Sequence, residues 1–157
     1  MVVRRALESD APVLAALRSE FWSDQIAKGS LDNPDLEPAQ LMSDTQRWVK
    51  RARTSVFLAA DGDQALGYII GQTRILPGVA GTLISSVEEV FVIPGQRRST
   101  VARDLVADAM ADFQTAGAQR VQLRVLERNS EGKKFWERLG FSASVVLYEY
   151  MANIPKS

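Results

Sequence analysis

The sequence predicts an α/β layered domain with elements in the order β-α-α-β-β-β-α-β-α-β. Three observations lead there. The apolar residues keep helical spacing through roughly the first third of the chain and then switch to strand-like runs. Between Val90 and Leu126 a strand, a basic turn, a three-turn helix and a second strand follow one another, a crossover that should be right-handed and make its two strands parallel. Finally, 157 residues with 46% hydrophobic and 24% charged side chains suffice for one ordinary globular core.

Val2 to Ala6 is read as a short first strand. Asp10 is the expected N-cap of helix one, with Pro12 in its first turn and Val13, Leu14, Leu17 and Phe21 along one face. Lys28 to Glu37, rich in turn formers, is a loop. A second helix is expected from Pro38 to Arg53, with Leu41, Thr45, Trp48, Val49 and Ala52 inward. SVFLAA and ALGYIIGQTRI flank Asp61-Gly62-Asp63 as a hairpin, Pro77-Gly78 starts another turn, and Ile84 to Ile93 is a further strand. Ala102, Leu105, Val106, Ala109, Met110 and Phe113 define the crossover helix, ended by Gly117. Val121 to Leu126 is a strand, Ser130 to Leu139 a short helix stopped by Gly140, and Ser142 to Met151 a final strand. No repeat, low-complexity tract or break in composition divides the chain, so residues 1–157 are expected to form a single domain.

Several function classes drop out on composition. The formal net charge is zero, so no general field favours nucleic acid or a membrane surface. MVVRRALESD has no apolar run after its arginines and does not read as a secretory signal, and no stretch approaches membrane-spanning length. The chain has no Cys and no His. Disulfides, thiolate chemistry, Ser-His triads and ordinary zinc sites are therefore absent, no metal is expected, and a cytoplasmic setting fits. Carboxylates, hydroxyls and backbone amides remain as the available chemistry.

Three constellations stand out. In VFVIPGQRRSTVARDL a helix begins beside Arg97, Arg98 and Arg103. The leading amides of a helix lack intrahelical partners and carry partial positive charge, which suits a pyrophosphate. The same turn also reads as an ordinary helix start whose arginines reach solvent. The second constellation is Glu88-Glu89, upstream on the preceding strand. Strand neighbours point to opposite faces, so one carboxylate should face whatever lies beside the sheet, as a general base or simply solvated. The third is NSEGKKFWERLGF, a capped helix whose Phe135 and Leu139 face the core, with Asn129 at its start.

In this order and spacing the three resemble the GNAT superfamily of acyl-CoA N-acyltransferases. Arg97-Arg98-Ser99-Thr100-Val101-Ala102 looks like the family's Arg/Gln-x-x-Gly-x-Gly/Ala turn, and Asn129 through Phe141 looks like its later Asn-x-x-Ala-x-x-Leu/Phe-Tyr-x-x-Leu-Gly-Phe pattern. The opening RRALESDAPVLAAL is similar to the family's first strand and helix. The sequence departs from the pattern at Thr100 for Gly, Gly132 for Ala and Trp136 for Tyr.

The resemblance implies a mixed central sheet of about six to seven strands flanked by about four helices, and acetyl-CoA as cosubstrate. Amides and side chains of Arg97, Arg98, Ser99, Thr100, Val101, Ala102 and Arg103 would hold the CoA pyrophosphate. Val90, Phe91 and Val92 would pair with the pantetheine arm, with Asn129 and Trp136 also at the cofactor. Glu88 and Glu89 would be the catalytic carboxylates, Glu88 taking the amine proton directly or through water, with Glu89 and Trp22 beside the acceptor, a small-molecule or peptide amine. A homodimer is compatible, since dimers are frequent in the family.

Deprotonating an alkyl ammonium of pKa near 10.4 at pH 7 costs about 4.6 kcal/mol, whereas a thiol near 8.5 yields its thiolate for about 2 kcal/mol. The base therefore matters more than the acid. The indole of Trp136 donates a hydrogen bond but supplies no proton, so water would protonate the leaving thiolate. The departures at Trp136 and Thr100 also leave open an acyl-CoA binding or sensing module without turnover.

Overall fold

The computed structural model describes residues 1–32 and 34–152. One mixed sheet carries the strands in sequence order, β1 (Val2–Arg5), β2 (Thr54–Asp61), β3 (Gln64–Ile75), β4 (Leu83–Val92) and β5 (Arg120–Leu123). The first four pair antiparallel, and β4 and β5 are parallel, as the crossover predicted. Helices α1 (Ala11–Ala27) and α2 (Pro38–Lys50) cover one face; α3 (Val101–Thr115) and α4 (Ser130–Arg138) pack on the other. Short 3-10 turns at Glu8–Asp10 and Pro94–Gln96 lead into α1 and towards α3.

Each face has its own core, as expected for a sheet sandwiched between helix pairs. On the α1/α2 side Leu14, Leu17 and Phe21 meet Val56, Leu58, Tyr68, Ile70 and Phe91. Opposite them, Val101, Leu105, Val106, Ala109 and Phe113 of α3 join Ile69, Val87, Val92 and Trp136. Phe113 is completely buried, and space for its ring comes from Gly71 on β3, where a Cβ would sit 2.4 Å from the ring's tip.

The inward positions expected for α2 hold at Leu41, Thr45, Trp48 and Val49. That helix ends three residues early, and Ala52 is exposed beyond it. Asp10 does precede α1, but its carboxylate turns back to accept from the Leu7 amide (2.7 Å) and from both terminal nitrogens of Arg4 (2.7 and 2.9 Å). The Arg4 hydrogen bond is the main reason the Asp10 carboxyl lies below its ordinary range, against the opposing effect of burial. The loop expected over Lys28 to Glu37 includes Asn33, outside the described residues.

The strand count differs from the expectation. Among the described residues the sheet has five strands rather than six to seven, and Ser142 to Met151 does not join it. The segment has strand-forming residues, but a strand exists only against a neighbour's hydrogen-bonding edge, and no ladder forms here.

Candidate active site

Beyond Val87 and Leu123 the sheet splits. Parallel pairing of β4 with β5 runs from Ile84↔Arg120 to Val87↔Leu123 and stops there. On its other side β4 stays paired with β3 through Val90, Phe91 and Val92, opposite Ile69, Tyr68 and Gly67. The β5-facing edge of Glu88 to Val92 therefore has no strand partner and could pair with an extended ligand, although the Val92 carbonyl on it accepts from Arg97 Nε at 3.3 Å. Gly67 lets the two backbones close up at this point, since a Cβ there would lie 2.4 Å from the Phe91 carbonyl oxygen.

A β-bulge sits at the mouth of the split. Ile70 pairs with Glu89 and Gly71 with Val87, which leaves Glu88 as the extra residue. A bulge re-aims side chains and breaks strict alternation. Glu88 accepts from Gln72 Nε2 (2.9 Å) and is bonded by the Ser86 hydroxyl, while Glu89 faces α1. Gln72 and Ser86 form a cross-strand pair on the face opposite the Gly71–Phe113 contact. Both carboxylates thus lie on the α1/α2 side, where simple alternation predicted opposite faces.

Their environments differ sharply. Glu88 is exposed. Glu89 is 5% exposed and held by Arg18 through Nε (2.9 Å) and a terminal nitrogen (2.7 Å), with the Tyr68 hydroxyl donating at 2.7 Å. Arg18 also reaches Asp44 (2.8 Å) and Thr45 (3.0 Å) on α2. Burial alone would lower the Arg18 pKa, but the hydrogen bonds and charge of Glu89, together with Asp44, raise it above the ordinary value. Burial first, and then the Glu89 charge, push the Tyr68 phenol well above its usual range. Glu89 is the centre of a hydrogen-bonded network that ties α1 and α2 to β3 and β4.

Sequence reasoning missed Arg18, Tyr68 and Asp44. A signal was there: Arg18 lies four residues after Leu14, on the buried stripe of helix one, where an unpaired charge would be very costly.

The turn after β4 forms the second half of the site. Ser99 bonds the Gln96 carbonyl (2.6 Å) and accepts from the Val101 amide (3.3 Å). Among the described residues the amides of Thr100, Ala102 and Arg103 have no recorded acceptor, as expected for a helix start. Arg98 is exposed beside them, whereas Arg103 turns to Asp104 (3.5 Å). Arg97 points away from the helix start: its guanidinium lies 5.6 Å from the Phe91 ring centroid and 3.4 Å from Asp24 of α1. Ser19, Glu20, Ser23 and Asp24 of α1, with Phe91, Pro94 and Arg97, line a cavity of about 340 Å³ at the end of β4. Trp22 is half-buried on the same helix, edge-on to Phe21 at 5.2 Å. A larger groove runs along α2 from Ser43 to Arg51, apart from these groups.

Asn129 caps α4, accepting from the Gly132 amide at 3.0 Å. A Cβ at residue 132 would come within 2.4 Å of the Asn129 side-chain nitrogen, so Gly132 permits this inward-folded amide. Trp136 is 7% exposed and packs edge-on between Phe135 and Phe141, at 5.1 and 5.2 Å. The fold therefore sets Glu88, Val90 to Val92 and the Arg98 to Arg103 turn along the diverging strand and its end, with Glu89 held by Arg18 and Tyr68 and Trp136 seated between Phe135 and Phe141. Among the described residues no cluster of carboxylates is placed to hold a metal ion.

This split sheet, with a helix start at the end of its diverging strand, has counterparts among known proteins. The acetyltransferase (GNAT) family model matches residues 14–141, and the chain belongs to that family. The N-alpha-acetyltransferase 30 of Schizosaccharomyces pombe is 28% identical over 97 residues, a match covering 62% of this chain and 63% of that protein. The BH1408 protein of Bacillus halodurans, solved as a tetramutant, superposes with a TM-score of 0.79 at 17% identity, covering 97% of this chain and all of the other. The aminoglycoside N-acetyltransferase AAC(6')-Iy in complex with CoA gives 0.79 at 17% identity, over 98% of this chain and 95% of that one. At these identities the two structures speak for the fold.

Proposed function

We propose that this protein transfers an acetyl group from acetyl-CoA to a primary amine by direct attack on the thioester. The observation that carries this reading is the open β4 edge beside the β-bulge, with exposed Glu88 at its mouth. CoA is bound by the aminoglycoside acetyltransferase of the same fold, which supports the cofactor. The free amides at Thr100, Ala102 and Arg103, with Arg98, would hold the pyrophosphate. The edge at Val90 to Val92, which has no strand partner, would take the pantetheine arm as an added strand, with Arg97 giving up its bond to the Val92 carbonyl, and an amide of this edge would stabilise the oxyanion.

Glu88 would accept the ammonium proton, directly or through one water, held in place by Gln72 and Ser86. The amine would enter through the cleft at the end of β4, whose rim carries Glu20 beside an Asp24 already paired with Lys28 and Arg97. Asn129 would remain near the thiol end of the cofactor while capping α4. Trp136, buried among aromatics, leaves protonation of the thiolate to water.

The test mixes the protein with acetyl-CoA and a panel of aminoglycosides, polyamines and peptide N-termini, following thermal stabilisation and free-thiol release together. Stabilisation with amine-dependent thiol release is the expected result. Stabilisation without release for any amine would assign an acyl-CoA sensor, and no stabilisation by saturating acetyl-CoA would remove the cofactor from the reading.

A further inference from the structure

Arg97 is held in two places at once. Its Nε donates to the Val92 carbonyl at 3.3 Å, on the edge without a strand partner, and a terminal nitrogen reaches Asp24 of α1 at 3.4 Å. Between these contacts the guanidinium lies over the Phe91 ring, 5.6 Å from its centroid. One side chain therefore walls the cavity of about 340 Å³ beside Ser19, Glu20, Ser23 and Asp24 and also occupies an acceptor on the edge proposed for the cofactor. Both polar contacts are longer than the usual N–H···O range, and both members of the ion pair are partly exposed, so each contact yields easily. The guanidinium also sets the charge of the cavity wall. With it in place, Glu20 and Asp24 are balanced by Lys28 and Arg97; without it the acids outnumber the cations.

We infer that Arg97 is the specificity residue coupling the two substrate sites: it gives up Val92 when acetyl-CoA binds, and Asp24 with the Phe91 face then passes to a second cationic group on the acceptor. This rests on the acetyl-transfer reading above and narrows the acceptor to amines that carry a further positive charge. A planar cation already sits against that ring and that carboxylate, so the cavity's own plug displays the chemistry the site takes. Phe91 is 5% exposed beneath the guanidinium, whose departure uncovers an aromatic face suited to another cation. The released guanidinium has a destination on the same turn, the pyrophosphate proposed at the amides of Thr100, Ala102 and Arg103. Pairing at Val92 and attraction to the pyrophosphate both favour the displaced position of Arg97, which is the differential affinity any ligand-driven change requires.

Binding without transfer tests this, using CoA that lacks the acetyl group and two probes, diaminopentane as a dication and pentylamine as a monocation. In titration calorimetry of the full chain, saturating CoA should tighten diaminopentane by about tenfold or more, and pentylamine by less than about twofold. By reciprocity diaminopentane should tighten CoA by the same factor as CoA tightens it. Arg97→Ala should bind diaminopentane without CoA as tightly as the wild type does with it, so that the coupling factor falls to about one. Asp24→Asn should keep CoA binding and lose the preference for the dication. Coupling that survives Arg97→Ala, an equal gain for pentylamine, or a preference that survives Asp24→Asn would each overturn the inference. CoA binding to the wild type with no effect on diaminopentane would overturn it too, and would leave the acetyl-transfer reading standing. No binding of CoA would remove that reading and the coupling together.

Discussion

At the scale of single residues the site turns on two adjacent glutamates with opposite fates. Glu88 is exposed and lightly tethered; Glu89 is buried and saturated. Glu88→Gln should lower kcat by about 10²–10⁴-fold with the melting temperature unchanged, measured by thiol release and calorimetry on the same sample. Glu89→Gln should do the reverse at first order, since it leaves Arg18 with only part of its compensation; removing one partner of such a buried pair costs about 3–5 kcal/mol. A loss of turnover from Glu89→Gln without loss of stability would contradict this division. Asp10 supplies a pH signature. Its folded pKa is depressed, so its contribution is present above the unfolded value near 3.9 and is lost as pH falls through the lower folded one. In Asp10→Asn, denaturant unfolding should therefore show lower stability at pH 7 and a shallower decline as pH falls below about 4.

The elements act through how closely they approach. Gly71 on β3 admits the ring of Phe113 from α3, and Gly67 admits the backbone of β4. Gly71→Ala should destabilise by about 1–3 kcal/mol through overpacking against a ring with no room to retreat, read as a lower denaturant midpoint at constant slope. The start of α3 is an anion site because its leading amides are unpaired, and of the three nearby arginines only Arg98 is exposed without a recorded acid partner among the described residues. Arg98→Ala should weaken acetyl-CoA binding by about tenfold or more, as expected for a lost charge-assisted hydrogen bond. Arg97→Ala should change the KM of both substrates, because its guanidinium lies against Phe91 and Asp24 in the cleft and its Nε donates to the Val92 carbonyl on the edge proposed for the pantetheine arm. Kinetics with each substrate varied in turn separate the two.

For the molecule as a whole, the Arg18 network is the clamp that holds the α1/α2 layer on the sheet beside the split. It touches α1, α2, β3 and β4 through four side chains besides Arg18 itself. Arg18→Met should cost about 3–5 kcal/mol, and the double change Arg18→Met with Glu89→Leu should recover part of that loss, since a well-packed apolar pair can replace a buried ion pair. Urea unfolding of the three variants gives the coupling directly.

Much of this was legible along the chain. The alternation of periods gave the element order, the strand–turn–helix–strand crossover gave the parallel β4–β5 pair, and the spacing of Arg97, Asn129 and Phe141 carried the family resemblance. These are local patterns, set by which side chains share a helix face or a turn. Three things depended on contacts between distant segments. The bulge at Glu88 arises from the register of β3 against β4, and it turns both glutamates to one face where the two-residue period predicted opposite ones. The Arg18 network, counting Arg18 itself, draws its members from four elements, with partners up to 71 residues apart, so only the folded chain could separate an available carboxylate from an occupied one. The 142–151 segment has every local mark of a strand and no neighbour, because backbone propensity can prepare an extended chain while the hydrogen-bonding edge that makes it a strand must come from elsewhere.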